Sequence, residues 1–129
     1  MDEKADISGK RILFVEDEEV TREYAATVLH DCGCTVLTAA DGQSALQLYE
    51  AQGGRLDLVS TDWRMPKMDG RQLIIELRER GFKGAFLLTS AHINEKNTQH
   101  FHTAFHIDHL LPKPFSVAEL REMVARVLK

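Results

Sequence analysis

The residues with the strongest chemical potential are three acids, two hydroxyls and a lysine. Glu16 and Asp17 close the segment R-I-L-F-V-E-D, and Asp62 stands in T-D-W-R-M-P-K-M-D-G. Thr89 and Ser90 close A-F-L-L-T-S, and Lys113 sits in L-P-K-P-F. Singly, each has an ordinary explanation: an acid after a strand caps the next helix, and a lysine is usually solvated. Together they amount to three carboxylates, a hydroxyl pair and an ammonium. Two carboxylates about 4 Å apart repel by roughly 4 kcal/mol at an effective dielectric near 20. Such a cluster therefore holds a proton or binds a cation. An open, all-oxygen, acid-rich site suits Mg²⁺, which uses one or two protein carboxylates and keeps several waters. A cation bound there can hold a phosphoryl oxygen. Lys113 adds a second positive charge, and Ser90 or Thr89 can donate to a further oxygen. The remaining carboxylate can attack phosphorus to give an acyl phosphate.

These residues act together only if the fold gathers them. Residues 11–15 form a short, continuously apolar run. Val20, Tyr24, Thr27 and Val28 then recur at helical spacing up to Gly33. Residues 34–39 read as a second strand, with Asp41-Gly42 as a turn. Ala45, Leu48 and Tyr49 mark a helix stopped by Gly53-Gly54. Residues 56–60 read as a third strand, and Leu73, Ile74 and Leu77 as a third helix closed at Gly81. Residues 85–88 make a fourth strand, 93–105 a weaker helix with Phe101 and Phe105 one turn apart, and 107–111 a fifth strand. After Pro112-Lys113-Pro114, Ser116 and Glu119 have capping-box spacing, and Val117, Leu120, Val124 and Val127 carry a last helix. Five β–α units with continuously apolar strands predict a parallel sheet covered on both faces. Ligands of such sheets bind beyond the carboxyl ends of the strands, where all six polar residues fall.

Composition limits the setting. The chain has 129 residues, 43% of them hydrophobic, enough for one domain with its own core. Its formal net charge of −4 argues against the basic stripe of a duplex-binding domain. No apolar run is long enough to span a membrane, and the polar, acidic start lacks an export stretch, so the expected location is the cytoplasm. Residues 1–9 are expected to be a flexible lead-in to a domain over 10–129. Cys32 and Cys34, spaced C-G-C, read as reduced thiols leading into a strand. Five of the six histidines lie between His92 and His109. His102 and His106 have helical zinc spacing, but no cysteine or acid cluster completes a tetrahedral set. They read instead as a polar fourth helix that titrates near neutral pH and can make partner binding pH-sensitive.

V-E-D at 15–17, D-W-R-M-P-K-M-D-G at 62–70, S-A-H at 90–92 and L-P-K-P-F at 111–115 resemble the receiver domain of two-component response regulators. The resemblance runs from about Lys10 to Lys129. It implies an α/β, flavodoxin-like (βα)5 fold with strand order 2-1-3-4-5. It implies that Asp62 accepts a phosphoryl group from the phosphohistidine of a histidine kinase or histidine phosphotransfer protein. Asp17 and Asp62 would hold Mg²⁺ with the backbone carbonyl of Arg64, and Glu16 would act near the metal or through water. Lys113 would pair with the phosphoryl group, with its bond to Pro114 cis. Ser90, or Thr89, would supply the hydroxyl; the spacing from Asp62 and the S-A-H trio favour Ser90. The fourth helix, fifth strand and fifth helix would form the face that meets an output partner or output domain, and phosphorylation-dependent dimerisation is compatible with it. The implied role is a switch that acts on its own phosphoryl group and turns over no metabolite.

Some positions depart from the family pattern. Glu16 stands where many members have Asp, and its extra methylene moves the carboxylate outward. Leu110 occupies the place of the usual aromatic switch residue and has neither ring nor phenol. Arg64, a long cation at the mouth, is a surface residue or a modulator of acyl-phosphate lifetime. Trp63 reads as a partly exposed neighbour without a chemical role. Two other functions fit part of the pattern. A haloacid-dehalogenase-like phosphatase would want D-x-D, but Arg64 follows Asp62 at that spacing. A degenerate receiver acting only as an interaction module would usually lack the acceptor Asp or the Lys. Met1 numbering accords with an N-terminal receiver or a whole short protein, and the kinase and target are not encoded in these residues.

Overall fold

A computed structural model describes residues 7–128. Five strands, β1 (Arg11–Val15), β2 (Thr35–Ala39), β3 (Leu58–Asp62), β4 (Ala85–Ser90) and β5 (His109–Pro112), form one parallel sheet in the order β2-β1-β3-β4-β5. The helices are α1 (Glu19–Asp31), α2 (Gly42–Ala51), α3 (Gly70–Glu79), α4 (Thr98–Phe105) and α5 (Val117–Leu128). The expected flavodoxin-like order is the observed one.

Alternation along each strand sends neighbouring side chains to opposite faces. Leu13, Val15, Val59 and Leu88 pack with Leu73, Leu77 and Phe101 under α2, α3 and α4. Ile12, Phe14, Leu58 and Leu87 pack with Leu29 and Leu120 under α1 and α5. Both faces are dry, which is why the strands read as unbroken apolar runs.

Strand and helix ends differ from the sequence reading, each for a local reason. β3 and β4 run on to Asp62 and Ser90 because Ser60, Thr61 and Thr89, though polar, continue a ladder buried on both faces. α4 begins at Thr98 rather than residue 93. Asn94 Oδ1 accepts the backbone N–H groups of Lys96 and Asn97, and this local turn competes with the helix. β5 begins at His109, since Ile107 bonds back to the Phe101 carbonyl at the end of α4.

Of the expected lead-in, residues 1–6 lie outside the described residues. Ile7 is fully buried, Cys34 Sγ donates to its carbonyl at 3.4 Å, and the Gly9 N–H reaches the Gly33 carbonyl at 2.9 Å. Ile7 is thus packed into the core beneath α1 and α5 while Ser8 and Gly9 stay exposed, because an isoleucine next to two buried cysteines gains more from burial than from solvent. Burial, with smaller contributions from Cys32 and Asp57, pushes the Cys34 thiol up to about 11. That disfavours the reactive thiolate.

Side chains cap the starts of α2, α3 and α5. Asp41 and Asp69 accept the Ser44 and Gln72 amides at 2.8 and 2.9 Å. Ser116 and Glu119 exchange reciprocal bonds of 3.1 and 2.9 Å, the capping box expected at the head of α5. Replacing Ser116 with Ala strands the Glu119 amide, so Ser116→Ala is expected to cost about 1 kcal/mol in urea unfolding.

Candidate functional site

The register brings the acids together. Val15 pairs with Thr61 and Asp62 with Thr89, so Glu16 leaves β1 beside the end of β3. The carboxylates of Glu16, Asp17 and Asp62 offer oxygens all within 4.8 Å of one another. Glu16 and Asp62 are buried while Asp17 is exposed, so the cluster opens to solvent on one side. The Arg22 guanidinium bonds the Glu16 and Asp17 carbonyls at 2.9 and 3.4 Å and fixes the turn that presents both acids.

Lys113, just past β5, sends its ammonium into this cluster. Its Nζ lies 2.7 Å from Asp62 Oδ2 and forms an ion pair with Glu16 Oε1. The reach is long: β4 separates β3 from β5, and strands are about 4.8 Å apart. The four-carbon stem of lysine spans that gap, and the extra methylene of Glu16 carries its carboxylate out to the same ammonium. Asp62 Oδ1 accepts the Trp63 amide at 2.7 Å, and Glu16 Oε2 accepts the Glu18 amide at 3.1 Å.

Burial raises the Glu16 carboxyl above its usual value, against the lowering effect of Lys113. Burial works against the Lys113 ammonium too, but its bonds to Asp62 and Glu16 outweigh it and the net shift is upward. Lys113 stays charged, and one buried acid is expensive to ionise. That is the electrostatic condition under which an added divalent cation is welcome. The donor set is all oxygen, carboxylate-rich and open on the Asp17 side, which fits Mg²⁺ rather than a soft metal.

The two hydroxyls differ. Thr89 stands beside Asp62 in the ladder, and its buried Oγ1 finds no hydrogen-bond partner among the described residues. Ser90 pairs with Pro112, and its Oγ accepts the His92 amide at 3.0 Å, leaving the hydroxyl proton free to donate. Arg64 is exposed at the mouth, and Leu110 is half-buried against the α2–α3–α4 core.

Sequence reasoning missed two contributors. Gly70 is one: a Cβ there would lie 2.1 Å from the Asp62 carbonyl oxygen. The Gly70 N–H also closes the loop onto the Trp63 carbonyl at 2.8 Å. The glycine is visible in D-G at 69–70, but only the fold shows that it lies against Asp62. Trp63 is the other, through its amide. The helical zinc spacing of His102 and His106 does not survive. His106 lies past the end of α4 with φ 54°, and the His102 ring meets the Ile107 carbonyl at 2.7 Å.

A family profile described as the response regulator receiver domain matches residues 12–125. The chain is 36% identical over 129 residues to the sensor kinase CckA of Brucella abortus (strain 2308), covering 98% of this chain and 14% of that protein. It is 37% identical to the Regulator of RpoS of Escherichia coli (strain K12), covering 90% of this chain and 34% of the relative. The chain thus spans a minor part of these curated relatives. Among solved structures, Vibrio cholerae chemotaxis protein CheY4 superposes with a TM-score of 0.83 at 30% identity, covering 94% of this chain and 100% of that one. The receiver domain of hybrid histidine kinase CckA gives 0.77 at 35% identity, covering 92% and 99%.

Two outcomes are expected. Gly70→Ala forces a methyl into the Asp62 carbonyl and should cost about 1–3 kcal/mol in denaturant unfolding. For Glu16, the folded carboxyl sits above its unfolded value near 4.5, so its share of stability is lost as pH rises from there through the raised value. Unfolding free energies followed upward from pH 4 should therefore fall less steeply in Glu16→Gln than in the wild type, and Mg²⁺ should recover part of the wild-type loss.

Proposed function

This chain belongs to the response regulator receiver family, and we propose that it works as a phosphorylation switch in two-component signalling with Asp62 as the phosphoacceptor. The observation that carries this reading is the Lys113 ammonium 2.7 Å from Asp62, inside a three-carboxylate cluster. Asp17 and Asp62 would hold Mg²⁺, with the Arg64 carbonyl as a third ligand and Glu16 nearby or acting through water. When bound, the ion neutralises charge on the incoming phosphoryl oxygens.

The rest of the chemistry belongs to the side chains. A carboxylate oxygen of Asp62 attacks phosphorus; the O–P bond forms as the N–P bond of the donor phosphohistidine breaks, and the imidazole leaves with its electron pair. Lys113 balances the phosphoryl charge, and Ser90, or Thr89, donates to a phosphoryl oxygen. Phosphoryl transfer needs position and charge neutralisation above all, and these residues provide both. Water completes the cycle by hydrolysing the acyl phosphate, with Arg64 at the mouth governing its access.

The kinase or phosphotransfer partner docks beside the acids. An open depression of about 360 Å³ is lined by Val20, Tyr24, Ala91, Lys113, Pro114 and Phe115. Val20 is 76% exposed, an apolar anchor left uncovered by the described residues. The output partner, whether a separate protein or an appended domain, meets the α4–β5–α5 face. A second depression there, of about 380 Å³, is lined by Ile93, His102, Leu110, Met123 and Arg126 among others. No helix among the described residues is long and apolar enough to cross a membrane, and we place the switch in the cytoplasm, where its donor works.

Leu110 supports a second reading, that of a module that binds partners without being phosphorylated. Incubation with a small phosphodonor and intact-mass measurement separate the two. The switch predicts a one-phosphoryl adduct that needs Mg²⁺ and is lost in Asp62→Asn. An unmodified wild-type chain at millimolar donor favours the module. Arg64→Ala is expected to change the rate at which that adduct disappears; a rate equal to wild type removes Arg64 from water control.

A further inference from the structure

Leu110 leaves the α4–β5–α5 face without the ring that links it to the acids in the usual pattern, yet another aromatic residue reaches both, Trp63 by its amide on one side and its ring on the other. We propose that Trp63 carries the state of Asp62 into α4 through the rings of Phe101 and Phe105. This rests on the phosphoacceptor reading of Asp62 and concerns how that site controls the rest of the domain.

The link begins at a single bond. The Trp63 amide donates to Asp62 Oδ1 at 2.7 Å. While Asp62 is a carboxylate, that bond is charge-assisted and about twice as strong as a neutral one. Acylation forms an O–P bond at one carboxylate oxygen and breaks the donor's N–P bond, so the negative charge moves onto the phosphoryl oxygens. Whichever oxygen takes phosphorus, the Trp63 amide is left facing an uncharged acceptor. At the same time Lys113, bonded to Asp62 Oδ2, gains phosphoryl oxygens to pair with. Both constraints on the backbone at 62–63 change together.

The indole is placed to pass this on. Its ring lies 5.0 Å from Phe101, nearly edge-on at 79°, and 5.0 Å from Phe105 at 54°. These are attractive aromatic geometries, and Phe101 is the one buried residue of α4. A shift of the indole therefore loads α4 at its sole buried anchor.

The rest of α4 is held differently at its two ends, by the adjoining 92–97 turn at its start and by α3 at its close. It has 8 residues, and its N-cap Asn97 makes no side-chain cap bond. Its last turn is clamped from α3: Arg78 Nη1 and Nη2 donate to the Phe105 and His106 carbonyls, each at 2.7 Å. The Arg71 guanidinium sits 5.5 Å from the centre of the Phe105 ring. A short helix whose C-terminus is fixed to a neighbouring helix, whose start is bonded to the turn just before it, and which has one aromatic anchor, has the form of a pivoted lever. Leu110 packs on the same core as Trp63 but offers only aliphatic contact.

Amide exchange of the α4 segment, with and without beryllofluoride and Mg²⁺, tests the relay. Fluorine spectra of the same samples report the adduct on Asp62. The wild type should show a change in α4 exchange of about five-fold or more on adduct formation. Phe105→Leu keeps apolar bulk but removes a ring; it should form the adduct and lose most of the α4 response. Trp63→Leu should lose the response as well, and Trp63→Phe should restore part of it. Leu110→Ala should keep it. An undiminished α4 response in adduct-bearing Phe105→Leu and Trp63→Leu overturns the relay, as does a response lost in Leu110→Ala alone. Absence of any adduct in the wild type is a different failure: it removes the phosphoacceptor reading, and the relay with it.

Discussion

One ammonium facing two buried carboxylates organises this protein. Burying charge is costly unless partners are close and well oriented, and Lys113 meets that condition for both Glu16 and Asp62. Remove it and two buried acids are left without their cation. Keep it and the cluster still lacks positive charge, because three carboxylates converge where one lysine arrives. That imbalance turns a set of strand ends into a place where cations and phosphoryl groups have a reason to go.

The remaining architecture serves that contact. The sheet order sets Glu16 and Asp62 at the ends of neighbouring strands and Lys113 just past the strand two places beyond β3, and the lysine stem reaches both acids. Gly70 lets α3 start against the Asp62 carbonyl, and Asp69 caps that start. The floor of the site is thus the head of a helix and the ends of three strands, all rigid. The neighbourhood becomes looser only toward α4, with its single buried side chain.

Much of this was legible in the residues. Continuous apolar runs alternating with helical spacing gave the parallel sheet, and the rule that ligands sit beyond strand ends pointed to Glu16, Asp17, Asp62 and Lys113. What could not be read was anything that depends on how distant segments meet. The polar residues Thr61 and Thr89 hid the true ends of β3 and β4, because periodicity registers apolarity and not hydrogen-bonded ladders. Asn94 delayed α4 through a turn made by its own side chain. Ile7 looked like part of a loose end until the cysteines beneath it were in place. The sequence named Trp63 as a neighbour of the acid, but only coordinates show its ring against Phe101.

The site has no local precursor in the chain. Glu16 follows the first strand, Asp62 ends the third, and Lys113 follows the fifth. Contacts between such distant segments cost loop-closure entropy before they return anything, and they form with the sheet and not ahead of it. A chain still emerging from synthesis, or one whose last strand has come away, carries Asp62 but lacks the Lys113 charge that faces it in the folded protein. Under the proposed function, competence to receive a phosphoryl group would be a read-out of complete folding.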